Sequence, residues 1–161
     1  MSIEENKKII LDYLYKSAAG DYETVSALVA DDARLWMGGL GLVSKEEMLA
    51  TWVGTRKLKV KYDLDILNVT AEADRVAVEW AADTLGVNGI RYSNVYHILF
   101  FVRDGRIVGM HEHCDTAYLN YVIPGRVPKR EVALRPDANE RFEGMTELVA
   151  AKKAAIAAQE A

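Results

Sequence analysis

The chain has 161 residues, half of them hydrophobic and 27% charged, with a formal net charge of −4. That length suits one domain with a substantial core, and the acidic balance argues against a nucleic-acid or anionic-membrane partner, since either wants a basic surface. The single cysteine, Cys114, cannot close an internal disulfide and reads as a small core residue.

The start is charged and lacks the apolar segment of a signal peptide, and no run approaches 18 apolar residues, so a cytoplasmic protein is expected. Ser2 to Glu5 forms a capping-box pattern. Behind it Ile3, Ile10, Leu14 and Ser17, with Tyr13 beside them, recur at helical spacing. Gly20-Asp21 ends that helix and caps a second short one through Val25, Leu28 and Val29. A short strand is expected over Ala33 to Met37, then a glycine-rich loop, Gly38-Gly39-Leu40-Gly41. The loop lacks the Lys-Ser/Thr ending of a phosphate loop. Ser44 to Glu47 caps a third helix running to about Val53.

From Leu58 the period changes to two. Leu58, Val60, Tyr62, Leu64 and Ile66 alternate with Lys59, Lys61, Asp63 and Asp65, as in a strand wetted on one face. Arg75 to Leu85, Tyr92 to Val102 and Arg106 to Asp115 complete an antiparallel meander. Helices followed by such a sheet describe an α+β domain. The last two strands are apolar on both faces, so helices are expected on one side and a second subunit on the other. Pro124, Pro128 and Pro136 punctuate a connector in which Arg126, Lys129 and Arg130 read as a solvated loop. A final helix would carry Phe142, Met145, Leu148, Val149 and Ile156 as its apolar stripe. The expected division is residues 1–121 as the α+β domain and 122–161 as connector and helix, docked on the same domain or a partner subunit.

Asp104-Gly105 between apolar runs is a strong hairpin signal, because both residues tolerate the positive φ of a type I′ turn. All three histidines, His97, His111 and His113, flank this turn together with Glu112 and Asp115. A regular two-residue turn sets His97 opposite Glu112, with Cβ atoms about 4.5–5.5 Å apart. It sets Tyr96 opposite His113 and Ile98 opposite His111 on the other face. One bulge would shift the register and bring Tyr96 beside Glu112 instead. A carboxylate beside an imidazole in an apolar cavity is a candidate acid–base pair; the bland alternative is a buried, mutually satisfied structural pair. His111-x-His113 places two imidazoles on one side of a strand, but no third ligand stands at a telling spacing, so no metal is expected.

The Tyr92-x-Asn94-x-Tyr96 segment, Arg103-Asp104-Gly105-Arg106-Ile107 and Glu112-His113-Cys114-Asp115-Thr116 follow helices and a helix-capping Ser44-Lys45-Glu46-Glu47-Met48. Over roughly residues 5 to 120 this order resembles the nuclear-transport-factor-two-like superfamily, and within it the SnoaL-like and ketosteroid-isomerase-related proteins. Their pattern is similar to Asn-x-Tyr, an apolar run, Asp-Gly-Lys-Ile, then Glu-Tyr-x-Asp. Arg106 stands here for the lysine and His113 for the tyrosine. The resemblance implies a cone: a strongly curved antiparallel sheet wrapped around helices, dimeric through the sheet's outer face. In relatives resembling limonene-epoxide hydrolase and in phenazine-biosynthesis A/B proteins, the acidic residue at the position of Glu112 is functional. In ketosteroid isomerases an oxyanion-hole acid occupies the position of His97.

Other parts of those sites are missing. Trp80 and Ala82 occupy the places of the epoxide hydrolases' Arg and Asp. The isomerase's early-helix tyrosine could be matched by Tyr13 or Tyr15, but its aspartate base, in the region of Trp36 to Leu40, has no counterpart. The resulting expectation is a cofactor-independent lyase or isomerase acting on a small apolar cyclic or aromatic molecule, polyketide-like or an aromatic catabolite. Glu112 would shuttle a proton and His97 would orient it or hydrogen-bond an oxyanion. Trp36, Trp80, Asn94, Tyr96 and Asp115 would contact substrate or hold Glu112. The alternatives are a non-catalytic binder of a small hydrophobe, or a structural dimer using its C-terminal helix as the contact surface.

Overall fold

The structure, a computed structural model, describes residues 1–122 and, near the C-terminus, 150–152, 154 and 158. The expected proline-rich connector and the apolar stripe of Phe142, Met145, Leu148, Val149 and Ile156 lie outside the described residues. Helix α1 spans Ile3–Ala19, α2 Tyr22–Leu28 and α3 Lys45–Arg56. The strands are β1 Val29–Met37, β2 Gly41–Val43, β3 Lys59–Glu72, β4 Arg75–Gly86, β5 Arg91–Arg103 and β6 Arg106–Cys114, followed by α4 Thr116–Val122. The helix starts follow their sequence signals. Ser2 and Ser44 each make a full capping box, with Glu5 and Glu47. Gly20, at φ 82°, supplies the left-handed turn that ends α1.

The sheet order is β2-β1-β6-β5-β4-β3, antiparallel except where β1 runs parallel to β6. This is the expected α+β cone, with the helices against one face of a curved sheet. The core lies between them. Ile10, Tyr13 and Leu14 of α1, Val25 of α2 and Met48 of α3 meet Val76, Val78, Ile98, Phe100, Ile107 and Met110 of the sheet. Such interdigitated apolar burial is the main stabilising term, at about 25 cal/mol per Å².

Two bulges change the expected strand parities. At the tip of the β5–β6 hairpin Asp104 and Gly105 have φ of 50° and 77°, and Arg103 faces Arg106, as the turn signal requires. The register then slips by one at Val108, so Phe101 faces Gly109. From there Glu112 faces Ile98 and His97 faces His113. The expected His97–Glu112 pair is therefore replaced: the two residues lie on opposite faces. The reason is packing. Ile107 and Met110 are both fully buried, and residues three apart share a face only across an extra residue. Gly109 permits the close strand approach, since a Cβ there would lie 2.9 Å from Phe101 Cδ2.

Strand β3 carries the second kind of correction. Its register shifts between Lys59 and Lys61 and again between Ile66 and Asn68. Tyr62, Leu64 and Ile66 face inward as expected, but Leu58 and Val60 are 52% and 64% exposed, and Lys59 shares the inner face with Tyr62. Helix α3 also continues to Arg56, past its expected end near Val53.

Candidate active site

A cavity of about 120 Å³ opens between the helices and the concave face of the sheet. Tyr13, Trp52 and Arg56 come to it from the helices, and Lys59, Tyr62, Trp80, Tyr92, Tyr96 and Glu112 from the strands. Glu112 is only 6% exposed. Its neighbours on the inner face include Ile98, directly opposite, and Tyr96, two residues along β5.

Four phenols surround the carboxyl group. Burial raises the Tyr13 hydroxyl well above its ordinary value, and the Glu112 charge pushes the same way. Tyr62 and Tyr96 are likewise raised, by burial first and by Glu112 among the further causes. Tyr92 is raised by burial, against opposing hydrogen bonds from Tyr96 and Asn94. These phenols stay protonated and serve as hydrogen-bond donors, because a second negative charge in so dry a space is costly.

The donors are organised. Asn94 Nδ2 donates to Tyr92 Oη at 2.7 Å and to the Asp115 carbonyl at 3.1 Å. The Tyr92 and Tyr96 hydroxyls lie 2.8 Å apart, and either can donate. When Tyr92 donates, the Tyr96 proton is left for an oxygen atom in the cavity. The Tyr96 ring stacks on Trp80, with centroids 4.2 Å apart and planes 8° from parallel. Trp80 Nε1 and Thr84 Oγ1 are buried without a hydrogen-bond partner among the described residues. Tyr13 is held by edge-on contact with Phe100, and its hydroxyl meets Met48 and Met110 sulfurs at 3.4 and 3.7 Å.

Of the residues expected at the site, the structure brings together Glu112, Tyr96 and Trp80, with Asn94 supporting them from beneath Tyr92. It places three elsewhere. His97 is exposed on the outer face opposite His113 and cannot orient Glu112. Trp36 also faces outward, its ring 5.1 Å from His113. Burial lowers the His113 pKa, with His111 and His97 adding to the effect. Asp115 is exposed, and its Oδ1 accepts from the Tyr118 amide at the start of α4. Sequence reasoning missed Trp52, Arg56, Lys59, Tyr62 and Tyr92. The Tyr-x-Asn-x-Tyr alternation was the available signal for Tyr92. Among the described residues no group of three or more His, Cys, Asp or Glu side chains is placed to hold a metal ion.

Lys59 is the least comfortable member of this lining. Its Nζ sits 4.1 Å from the Tyr62 ring centroid, and burial, with Arg56 nearby, lowers its pKa from 10.5 to about 8. The unfolded chain therefore binds an extra proton between about pH 8 and 10.5, and stability rises with pH across that window. Lys59→Met is expected to stabilise the fold near pH 7 by about 1 kcal/mol and to remove that rise, as measured by urea denaturation at pH 7 and near pH 10.

The sequence profile of the SnoaL-like domain family matches residues 10–110. The chain belongs to that family. No match was found among curated proteins. Among solved structures this SnoaL-like chain is similar to IdmH, a candidate polyketide cyclase from Streptomyces antibioticus. The identity is 22% and the TM-score 0.64, over 72% of this chain and 96% of that one. A candidate SnoaL-like polyketide cyclase from Jannaschia has 17% identity and a TM-score of 0.67, over 78% and 96% of the two chains. AclR, a candidate hydroxylase from Streptomyces galilaeus, has 19% identity and a TM-score of 0.68, over 75% and 96%. At identities this low the likeness shows the shared fold alone. Among the described residues no helix is long and apolar enough to cross a membrane.

Proposed function

We propose that this SnoaL-like protein is a cofactor-independent acid–base enzyme that moves a proton on a small cyclic or aromatic carbonyl compound. The observation that carries this reading is one buried carboxylate, Glu112, in an apolar cavity with an organised phenol pair on the same wall. The Glu112 carboxylate takes a proton from a carbon next to a carbonyl, and the C–H electron pair moves onto the oxygen as an enolate. Tyr96 donates a hydrogen bond to that oxygen, a preorganised stabilisation in a dry site. Returning the proton to another carbon completes an isomerisation. Attack of the enolate carbon on a second carbonyl closes a ring, and Glu112 then protonates the alkoxide. Expulsion of a leaving group β to the carbonyl makes the same step an elimination. The polyketide-cyclase descriptions of two structural neighbours favour ring closure or isomerisation among these.

The elementary step can be read without the natural substrate. Wild-type protein should accelerate solvent-deuterium incorporation at the α-carbon of α-tetralone, followed by NMR. Binding of α-tetralone with no acceleration would instead favour a carrier of small hydrophobes.

The same reading includes a homodimer through the sheet's outer face, where Val95 is 51% exposed and Trp36, Phe101 and the three histidines cluster. Sedimentation of the intact chain should give twice the monomer mass at pH 7.5, and a monomer at micromolar concentration would refute this part.

A further inference from the structure

The bulge at Val60 has a chemical result. Regular alternation would point Lys59 at solvent with Lys61 and Asp63. The extra residue turns it inward instead, beside Tyr62 and into the cavity that Glu112 lines. Arg56, at the end of α3, reaches the same place, and its Nη1 donates to the Lys59 carbonyl at 3.2 Å. Two cations are thus tied together in the lining of the cavity. Among the described residues neither forms an ion pair with a carboxylate. Four of the lining hydroxyls are already committed to backbone carbonyls: Ser17 to Tyr13, Tyr22 and Thr55 to Trp52, and Thr51 to Glu47. Holding two like charges together under partial burial is unfavourable unless a counter-ion joins them.

We propose that Arg56 and Lys59 form a carboxylate-binding end of the cavity, and that the substrate is an apolar ring system bearing one carboxylate besides the carbon acid that Glu112 serves. A monoanion fits better than a phosphate dianion, because the apolar walls make desolvation of the second charge expensive. The planar Arg56 fork suits the two carboxylate oxygens. Lys59 adds a point charge held over the Tyr62 ring. The inference rests on the cavity being a substrate site, and it adds which end of the molecule lies where.

Calorimetric titration of the full chain with benzoate, naphthoate and anthroate, each beside its methyl ester, tests this. At least one acid should bind about tenfold or more tightly than its ester. In Arg56→Gln and in Lys59→Met that ratio should fall toward one, the ester titration reporting that the cavity is still formed. Near pH 9 Lys59, faced by Arg56, Tyr62 and Tyr22, is largely neutral. Acid binding there should take up a proton, seen as a buffer-dependent heat, and ester binding should not. The proposal is overturned if no acid binds more tightly than its ester, or if the preference survives in the Arg56→Gln, Lys59→Met double variant. A naphthyl phosphate that outcompetes naphthoate would also overturn it. Glu112→Gln should leave the acid-to-ester ratio at or above the wild-type value, so loss of proton transfer and loss of carboxylate recognition are separate outcomes.

Discussion

Glu112→Gln should slow deuterium exchange into α-tetralone by about 10²- to 10⁴-fold while leaving the ligand bound. Glutamine keeps the shape and the hydrogen-bonding reach of the side chain but cannot accept a proton at neutral pH. The fold should tolerate the change, because it removes a charge from a site that is 6% exposed. Tyr96→Phe should give a smaller loss, about 10- to 100-fold, since Tyr92 and Trp80 remain on the same wall. His97→Ala should leave exchange unchanged, because that side chain stands on the outer face. Equal exchange by wild type and Glu112→Gln would sink the mechanism, whatever the two proteins bind. A loss in His97→Ala would show that the hairpin register in solution differs from the one described.

Phe100→Ala should cost about 3–5 kcal/mol of stability, read as a lower urea midpoint at unchanged slope. Phe100 is fully buried at the centre of the sheet and packs edge-on against Tyr13, with centroids 5.4 Å apart. Tyr13 in turn tilts against Trp52, 5.3 Å away, so the ring chain ties α1 and α3 to β5. Truncation leaves a void beside Tyr13, which lines the cavity. A loss of this size is a large share of the 5–15 kcal/mol typical of a domain. Phe100→Leu, which keeps most of the volume, should cost less than half as much. A change below about 1 kcal/mol in the alanine variant would contradict the packing.

The sequence by itself determined the order and type of most elements. Capping boxes at Ser2 and Ser44, the helical spacing of Ile10 and Leu14, the change to period two after Leu58 and the Asp104-Gly105 turn are all local. Each is decided by hydrogen bonds and torsions within a few residues. The same residues carried the family resemblance and marked Glu112 as the acidic group to watch. What they could not decide was parity. Strand side chains alternate, so a single extra residue reverses the face of everything beyond it. The bulge at Val108 set Glu112 beside Tyr96 in the cavity and away from His97, while Trp36 lies outside because its β1 neighbours Leu35 and Met37 take the inner face. The bulge at Val60 turned Lys59 from an expected surface charge into part of the lining. Burial of Ile107 and Met110 on one face decides the first of these, a balance of packing across the whole domain. The pairing of β3 with β4 carries the second. Sequence named the hairpin and its carboxylate, and tertiary packing chose which neighbours share its pocket.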